Sequence, residues 1–244
     1  MWSVSVPPAP DDERVGVRRA WREAVGVALA TSAYGVSFGA LSVASGLDVW
    51  QTCVLSLLMF TGGSQFAFVG VIAAGGLAAA PAAIASAGLL GARNVAYGLR
   101  MSPVVGGGFW RRAAAAHITI DESTAVALAQ THPAARRVGF WATGVGIWIG
   151  WNVSTLAGAL LGDVLGDPRA YGLDAAAAAA FLALLWPRLR RRQAIAVGIA
   201  AAVVATVATP VLMPGIPVLI AALVAVVVGW TNWLGRRERN GVAA

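Results

Sequence analysis

An uncharged stretch of forty-four residues is the feature that most constrains the fold of this chain. No Asp, Glu, Lys or Arg occurs from Val49 to Ala92, and Arg93 is the first charge that follows. About 20 apolar residues cross a hydrocarbon core about 30 Å thick, so the stretch is long enough for two crossings. Arg93 then lies inside the second crossing, where a charge is costly and usually functional. The pattern predicts an integral membrane protein with polar groups placed at depth.

The composition excludes an ordinary soluble domain and a nucleic-acid-binding protein. Of the 244 residues, 58% are hydrophobic and 12% are charged, against about 25% charged in soluble domains. All 18 basic residues are arginines, and they form short clusters between apolar segments, as topology signals do. The single Cys53 excludes an intramolecular disulfide and a metal cluster held by sulfur. We therefore expect neither a metal nor a cofactor.

The apolar segments predict an all-α fold, a polytopic membrane helix bundle of seven or eight transmembrane helices, some of which can be broken. Residues 1–22 and 236–244 are predicted to be cytoplasmic tails, and residues 23–235 the transmembrane domain. The predicted crossings are Ala24–Ala44, Val49–Ile72, Pro81–Leu99, Ala113–Gln130, Val138–Gly162, an alanine-rich helix from Asp174 to Trp186, and two crossings within Gln193–Gly235.

The arginines predict the orientation, because cytoplasmic loops are enriched in basic residues. Basic clusters flank both termini, which are therefore predicted to be cytoplasmic, and this requires an even number of crossings. Eight crossings result if Ala113–Gln130 spans the cell membrane, but Arg100, Arg111 and Arg112 then lie outside, against the rule. If that segment does not span, one earlier segment must be re-entrant. We favour eight crossings with a polar, breakable fourth.

A polar, glycine-containing cluster lies near the middle of the second predicted crossing. Gly62 is about 18 Å from Trp50 along a helix, and a glycine pair weakens a helix at that depth. Unwound backbone there is tolerated only where it lines a cavity or is buried in protein, and its N–H groups attract an anion such as a carboxylate. Close helix packing through small residues is the alternative. We predict a substrate-binding cluster of Thr61, Gly62, Gly63, Ser64 and Gln65.

The third predicted crossing carries Arg93 and Asn94, which we also predict to bind substrate. Arg93 lies about 18 Å from the start of this segment, at the depth of the glycine pair. Its guanidinium group can hold a carboxylate in bidentate geometry. The alternative is a structural ion pair of Arg93 with Asp121, Glu122 or Asp174.

The fourth predicted segment carries three residues that we predict to couple transport to protons: His117, Asp121 and Glu122. His117 and Asp121 are four residues apart, so one face of a helix would carry both. Burial in a medium of low dielectric favours the neutral form of a carboxyl group, so an acid at depth can take up and release a proton. If the segment lies along the surface, these residues are only solvated charges.

Four stretches resemble the AzlC family, the large subunit of two-component branched-chain amino acid permeases. They are Gly35 to Ala40, Phe60 to Phe66, Arg93 to Gly98, and Asp121 to Thr124, within a resemblance over about residues 20–235. The resemblance implies a permease that exports branched-chain amino acids, driven by the membrane potential or a proton gradient. It also implies a separately encoded, small AzlD-type membrane subunit as partner. Asn94 stands where a His is common in the family, which leaves the substrate preference open.

Three other classes of protein remain compatible with these residues, and one of them is a channel, which would pass substrate without saturation or pH coupling. An intramembrane hydrolase would pair Ser64 or Ser123 with His117, although no G-x-S-x-G motif is present. A structural subunit would use Arg93 and Asp121 for stability alone. We favour a carrier without enzymatic activity, in which Trp151 and Asn152 can border the cavity.

Overall fold

The computed structural model describes residues 10–165, 192–213 and 216–231, with isolated positions 182, 186 and 189 between them. Every regular element within these residues is helical, which confirms the all-α prediction for this part of the chain. The C-terminal tail, residues 1–9 and most of the predicted alanine-rich helix lie outside the described residues. The first helix begins at Pro10 and so includes part of the predicted N-terminal tail.

Eleven α-helices and one short 3₁₀ helix make up the described structure. The helices are α1 Pro10–Ala33, α2 Gly35–Ala44, α3 Val49–Leu58, α4 Gly62–Gly75, a 3₁₀ turn Leu77–Ala79, α5 Ala80–Gly91, α6 Arg93–Val105, α7 Phe109–His117, α8 Asp121–Ala129, α9 Pro133–Leu165, α10 Arg192–Ala208 and α11 Ile216–Thr231. Among the described residues, two stretches are long and apolar enough to cross a membrane, Asp12–Ala44 and Pro133–Val164.

These two long stretches pack side by side and run in the same direction. Glycines of α9 face residues of α1 and α2 in ascending order along both chains: Gly146 faces Ala28, Gly150 faces Ser32, Gly158 faces Val36 and Gly162 faces Ala40. The bundle therefore has an end at which α1 and α9 begin, which we call the arginine-rich end. At the opposite end, α2 and α9 finish near Asp48 and Asp163.

Helices α3 and α4 form a hairpin, the first hairpin, that enters from the opposite end and returns to it. The Gln65 amide donates to the carbonyl oxygens of Met59 at 2.7 Å and Ser56 at 3.3 Å. A continuous helix would separate Ser56 from Gln65 by about 13 Å along its axis, so the chain reverses between them. Helix α4 then runs beside α2 in the same direction, because Gly62 faces Tyr34 and Phe66, one turn later, contacts the Phe38 ring.

Helices α7 and α8 form a second hairpin, which enters from the arginine-rich end. Helix α8 is antiparallel to α9, since Ile118 faces Gly144 and Val126 faces Gly139. The Arg111 guanidinium lies 5.8 Å from the Trp141 ring, so α7 begins near the end where α9 begins. The chain reverses at residues 118–120, where Ile120 is extended.

Between the hairpins, α5 and α6 form a nearly continuous helix that connects the two ends. Ala92, which joins them, keeps helical dihedral angles (φ −57°, ψ −29°). Helix α5 begins at the opposite end and packs antiparallel to α4, since Ser64 near the start of α4 contacts Ala87 near the end of α5. Helix α6 continues to the arginine-rich end. Met213, which follows α10, and Ile216, at the start of α11, also lie at the opposite end, because they share a surface cavity with Gly75 and Ala79.

Two sequence predictions are corrected by these chain directions. Val49–Ile72 and Ala113–Gln130 do not cross as single helices, because each reverses where buried side chains bond the free carbonyl groups at its tip. His117 and Asp121 do not share a helix face, because the extended Ile120 separates α7 from α8. The described arginines other than Arg93 all lie at the arginine-rich end: Arg14, Arg18, Arg19, Arg22, Arg100, Arg111, Arg112, Arg136, Arg137 and Arg192. Arg100, Arg111 and Arg112 therefore share one end of the bundle with the arginines of α1, instead of the opposite end that eight crossings require.

Candidate functional site

The tips of the two hairpins meet beside Arg93 and enclose a small cavity at the middle of the bundle. Five segments of the chain supply its lining: Thr31, Tyr34, Phe60, Thr61, Gly62, Gly63, Arg93, Ile120, Asp121, Glu122, Ile147 and Trp151. The cavity volume is about 20 Å³, which is room for about one water molecule. The structure is therefore closed around its polar centre.

Two helix N-termini point into this centre from opposite directions. Thr61 is extended (φ −160°, ψ 107°) before α4, and Ile120 is extended (φ −128°, ψ 174°) before α8. The first N–H groups of a helix have no partner within it, and the helix dipole is positive there. The break predicted at the Gly62-Gly63 pair is thus present, and the pair forms the first residues of α4.

An ion pair joins α6 to the tip of the second hairpin. Nη2 of Arg93 lies 2.9 Å from Oδ2 of Asp121, and the two side chains are 31% and 25% exposed. Nε of Arg93 is buried without a hydrogen-bond acceptor among the described residues. Gly63 faces the guanidinium group, and a Cβ there would approach Nη2 to 3.2 Å. The guanidinium group of Arg93 therefore packs closely against the backbone of Gly63, and it keeps a hydrogen-bond donor that Asp121 does not satisfy.

Gln65 and Ser64 hold the first hairpin in place, and neither lines the cavity. Gln65 is fully buried. Its amide oxygen accepts the Nε1–H of Trp151 at 2.8 Å, while its amide nitrogen bonds the carbonyl groups at the end of α3. Ser64 donates to the carbonyl oxygen of Ala87 in α5 at 2.8 Å. Their described contacts thus fix the positions of Gly62 and Gly63, which do line the cavity.

Ser123 has the corresponding role in the second hairpin. Its Oγ lies 2.8 Å from the carbonyl oxygen of Ile118 and accepts the N–H of Ile120 at 3.1 Å. These bonds place Asp121 and Glu122 in the first turn of α8, where negative charges stabilise the positive end of the helix dipole. Both carboxyl groups are thereby brought to the cavity.

The remaining predicted residues lie outside the cavity. His117 ends α7, is exposed and stacks on Phe60, with 5.9 Å between the ring centroids. Asn94 follows Arg93 in α6, and its Oδ1 is buried without a hydrogen-bond donor among the described residues. Among the described hydrogen bonds, Ser64 and Ser123 bond backbone groups rather than His117, so the pairing that a hydrolase needs is not formed there.

Sequence reasoning missed most of the apolar wall of the cavity. Tyr34, Phe60, Ile120 and Ile147 line it, but an apolar or aromatic side chain is by itself no signal of a site in a chain as apolar as this one. Trp151, which was expected to border a cavity, lies edge-on to Tyr34 with 4.9 Å between the ring centroids. The apolar wall follows from the packing of several helices and not from any one segment.

Comparison with known proteins gives a family and no named relative. Residues 26–165, which include both hairpins, Arg93 and all of α9, match the family described as AzlC protein. No curated protein and no solved structure matches the chain. The matching family is of the transporter type, is associated with branched-chain amino acid transport and works with a small partner subunit. Because the match covers more than half of the sequence, the chain belongs to the AzlC family.

Proposed function

We propose that the protein is a secondary transporter in the cell membrane that exports branched-chain amino acids together with a small AzlD-type subunit. The observation that carries the proposal is the Arg93–Asp121 ion pair, which lies where two helix N-termini converge in a mainly apolar bundle. Charged groups are placed at such depth in membrane proteins mainly for substrates, ions or protons. Membership of a transporter-type family supports the same function.

Within the described residues, the proposed topology has five crossings and two re-entrant hairpins. The crossings are α1–α2, α5–α6, α9, α10 and α11. The first hairpin enters from outside and the second from the cytoplasm. This arrangement would put the start of α1, the end of α11 and the described arginines other than Arg93 on the cytoplasmic side, as the positive-inside rule requires. Irregular backbone at the hairpin tips is then surrounded by protein, which is the condition for it to exist at that depth.

The cavity offers a complementary group for each part of an aliphatic amino acid. The substrate carboxylate would bind the Arg93 guanidinium and the N–H groups at the start of α4. The ammonium group would lie toward Asp121 and Glu122. The aliphatic side chain would contact Phe60, Ile147 and Trp151. Because the closed cavity holds only about one water molecule, the hairpin tips must separate before the substrate enters.

Competition for Arg93 would couple the substrate to a proton. One guanidinium group faces Asp121 in the closed state, and a substrate carboxylate would displace Asp121 from it. The displaced carboxyl group would then have lost its ion-pair partner and would share the cavity with Glu122 and Tyr34. Proton uptake by Asp121 would accompany substrate binding, and proton release would accompany the return to the ion pair.

Transport in proteoliposomes that contain the protein and its partner subunit tests this proposal. We expect labelled leucine, isoleucine or valine to exchange across the membrane, and R93Q to reduce the rate at least about tenfold, because a bidentate charged contact is lost. R100Q removes an exposed arginine at the arginine-rich end and is the matched control. Equal rates for R93Q and R100Q would contradict the proposed binding site.

D121N separates transport from its proton coupling. This variant keeps the shape of the side chain but cannot bind a proton as a carboxylate does. We expect substrate exchange to persist while accumulation driven by a pH gradient is lost. If D121N still accumulates substrate in response to a pH gradient, Asp121 is not the coupling residue.

A further inference from the structure

We propose that a groove between α1 and α9 at the arginine-rich end binds an anionic phospholipid. The groove has a volume of about 440 Å³, and its lining includes Trp21 of α1 and Arg137, Trp141, Val145 and Gly146 of α9. It lies apart from the central cavity, with which it shares no lining residue. The inference rests on the membrane location in the proposed function but not on transport.

The groove is charged at its mouth and apolar along its floor. Its α9 residues recur at helical spacing on one face, from Arg137 at the start of the helix to Gly146. Arg137 and Val145 are about 12 Å apart along the axis. Apart from Arg137, the lining consists of tryptophan, valine, alanine and glycine. A phosphate at the mouth with an acyl chain on the floor would match this order.

Several guanidinium groups surround the mouth. Arg111 of the second hairpin lies over the Trp141 ring at 5.8 Å. A neighbouring depression on α1 shares Trp21 with the groove and is lined by Arg18 and Arg22. The nearest acid on this part of α1, Glu23, accepts hydrogen bonds from Arg19 and Gln130. The local field is therefore positive and attracts a phosphate group.

Charge and position favour a lipid over a helix of a partner protein. Trp21 is 53% exposed, and tryptophan side chains are enriched at the level of lipid headgroups. A transmembrane partner helix would place apolar residues against the whole groove and would leave Arg137 without a counter-charge. Basic pockets between helices on the cytoplasmic side are suited to anionic headgroups.

Native mass spectrometry of the full-length protein in detergent tests the proposal, with phosphatidylglycerol and phosphatidylcholine as probes. We expect phosphatidylglycerol to bind more tightly, and each of R137Q and R18Q to weaken its binding about fivefold. R100Q, at the same end but outside the groove, should bind as the wild type does. Equal losses in R137Q and R100Q, or equal binding of both lipids, would overturn the proposal.

A second variant pair tests the apolar floor without changing charge. A142F fills the groove below the arginines, whereas A30F adds the same side chain at an exposed position of α1 outside it. We expect only A142F to lose the bound phosphatidylglycerol. Unchanged lipid binding in A142F would overturn the proposal. A partner subunit that excludes phosphatidylglycerol from the groove in both variants, A142F and A30F, would also overturn it. A loss of amino acid transport with lipid binding intact would instead count only against the proposed function.

Discussion

The tightest helix contact in the described structure yields the most direct test of the fold. The three atoms nearest to a Cβ placed on Gly158 would all be backbone of α2: it would lie against the carbonyl oxygen of Val36, at 2.7 Å from the carbonyl carbon and 2.8 Å from Cα. Real Cβ contacts do not occur below 3.0 Å. No side chain can rotate away to make room, so G158A must push α2 and α9 apart.

The size of the effect follows from this geometry. Restoring ordinary contact at 3.4 Å requires the carbonyl carbon to retreat by at least about 0.7 Å. Overpacking of a rigid contact costs about 1–3 kcal/mol, and a backbone clash belongs at the upper limit. For a chain of this size, about 3 kcal/mol corresponds to a fall of about 6–12 °C in the midpoint of thermal denaturation.

Two further variants make the measurement specific. G39A introduces the same clash from α2, because its Cβ would lie 2.6 Å from the backbone nitrogen of Ala159 and closer still to Thr155. G26A is the matched control on α1, where nothing lies within 4 Å and alanine favours the helix by up to about 1 kcal/mol. Samples of the purified protein in detergent are heated, and the fraction that stays monodisperse is measured at each temperature to give the midpoint. If G158A and G26A denature at the same temperature, α2 and α9 do not cross at these glycines.

Three other substitutions test the hairpins and the site. W151F removes the buried N–H bonded to the glutamine of α4 and should cost about 1–3 kcal/mol. W148F, whose indole N–H has no acceptor among the described residues, should lower the denaturation midpoint less. G63A places a Cβ 3.2 Å from the guanidinium group and should weaken apparent substrate affinity about three- to tenfold in a transport assay, whereas G70A, with open space, should not. S123A removes the bonds at the tip of the second hairpin and should cost about 1–2 kcal/mol, seen as a lower midpoint and faster hydrogen exchange there.

The sequence was sufficient to predict features that depend on local chemistry. The absence of charge over 49–92 indicated apolar helices, the glycine pair marked the break before α4, and an ion pair was one of the two roles considered for Arg93. Asp121 was among the three candidates for the partner in that pair. Each of these follows from the cost of placing one residue type in an apolar medium.

The chain reversals could not be predicted in the same way. A kinked crossing and a hairpin of equal length have the same composition, and the difference lies in where Gln65 and Ser123 find their hydrogen bonds. Those partners become visible only in three dimensions. The unfavourable placement of Arg100, Arg111 and Arg112 was the one sequence signal that a segment had been assigned the wrong path.

The first hairpin has a consequence for the order of events during synthesis. Its buried polar groups bond to α9, through the Gln65–Trp151 contact across 86 residues and the Ser56–Thr155 contact across 99 residues. Helix α3 has only 10 residues and cannot traverse a bilayer by itself. While the ribosome is still translating the intervening sequence, α3 lacks its partners in α9 and cannot remain stably in the lipid. A nascent chain truncated ahead of Trp151 should therefore leave the first hairpin open to cytosolic or extracellular labelling reagents, and release of the full-length chain should protect it.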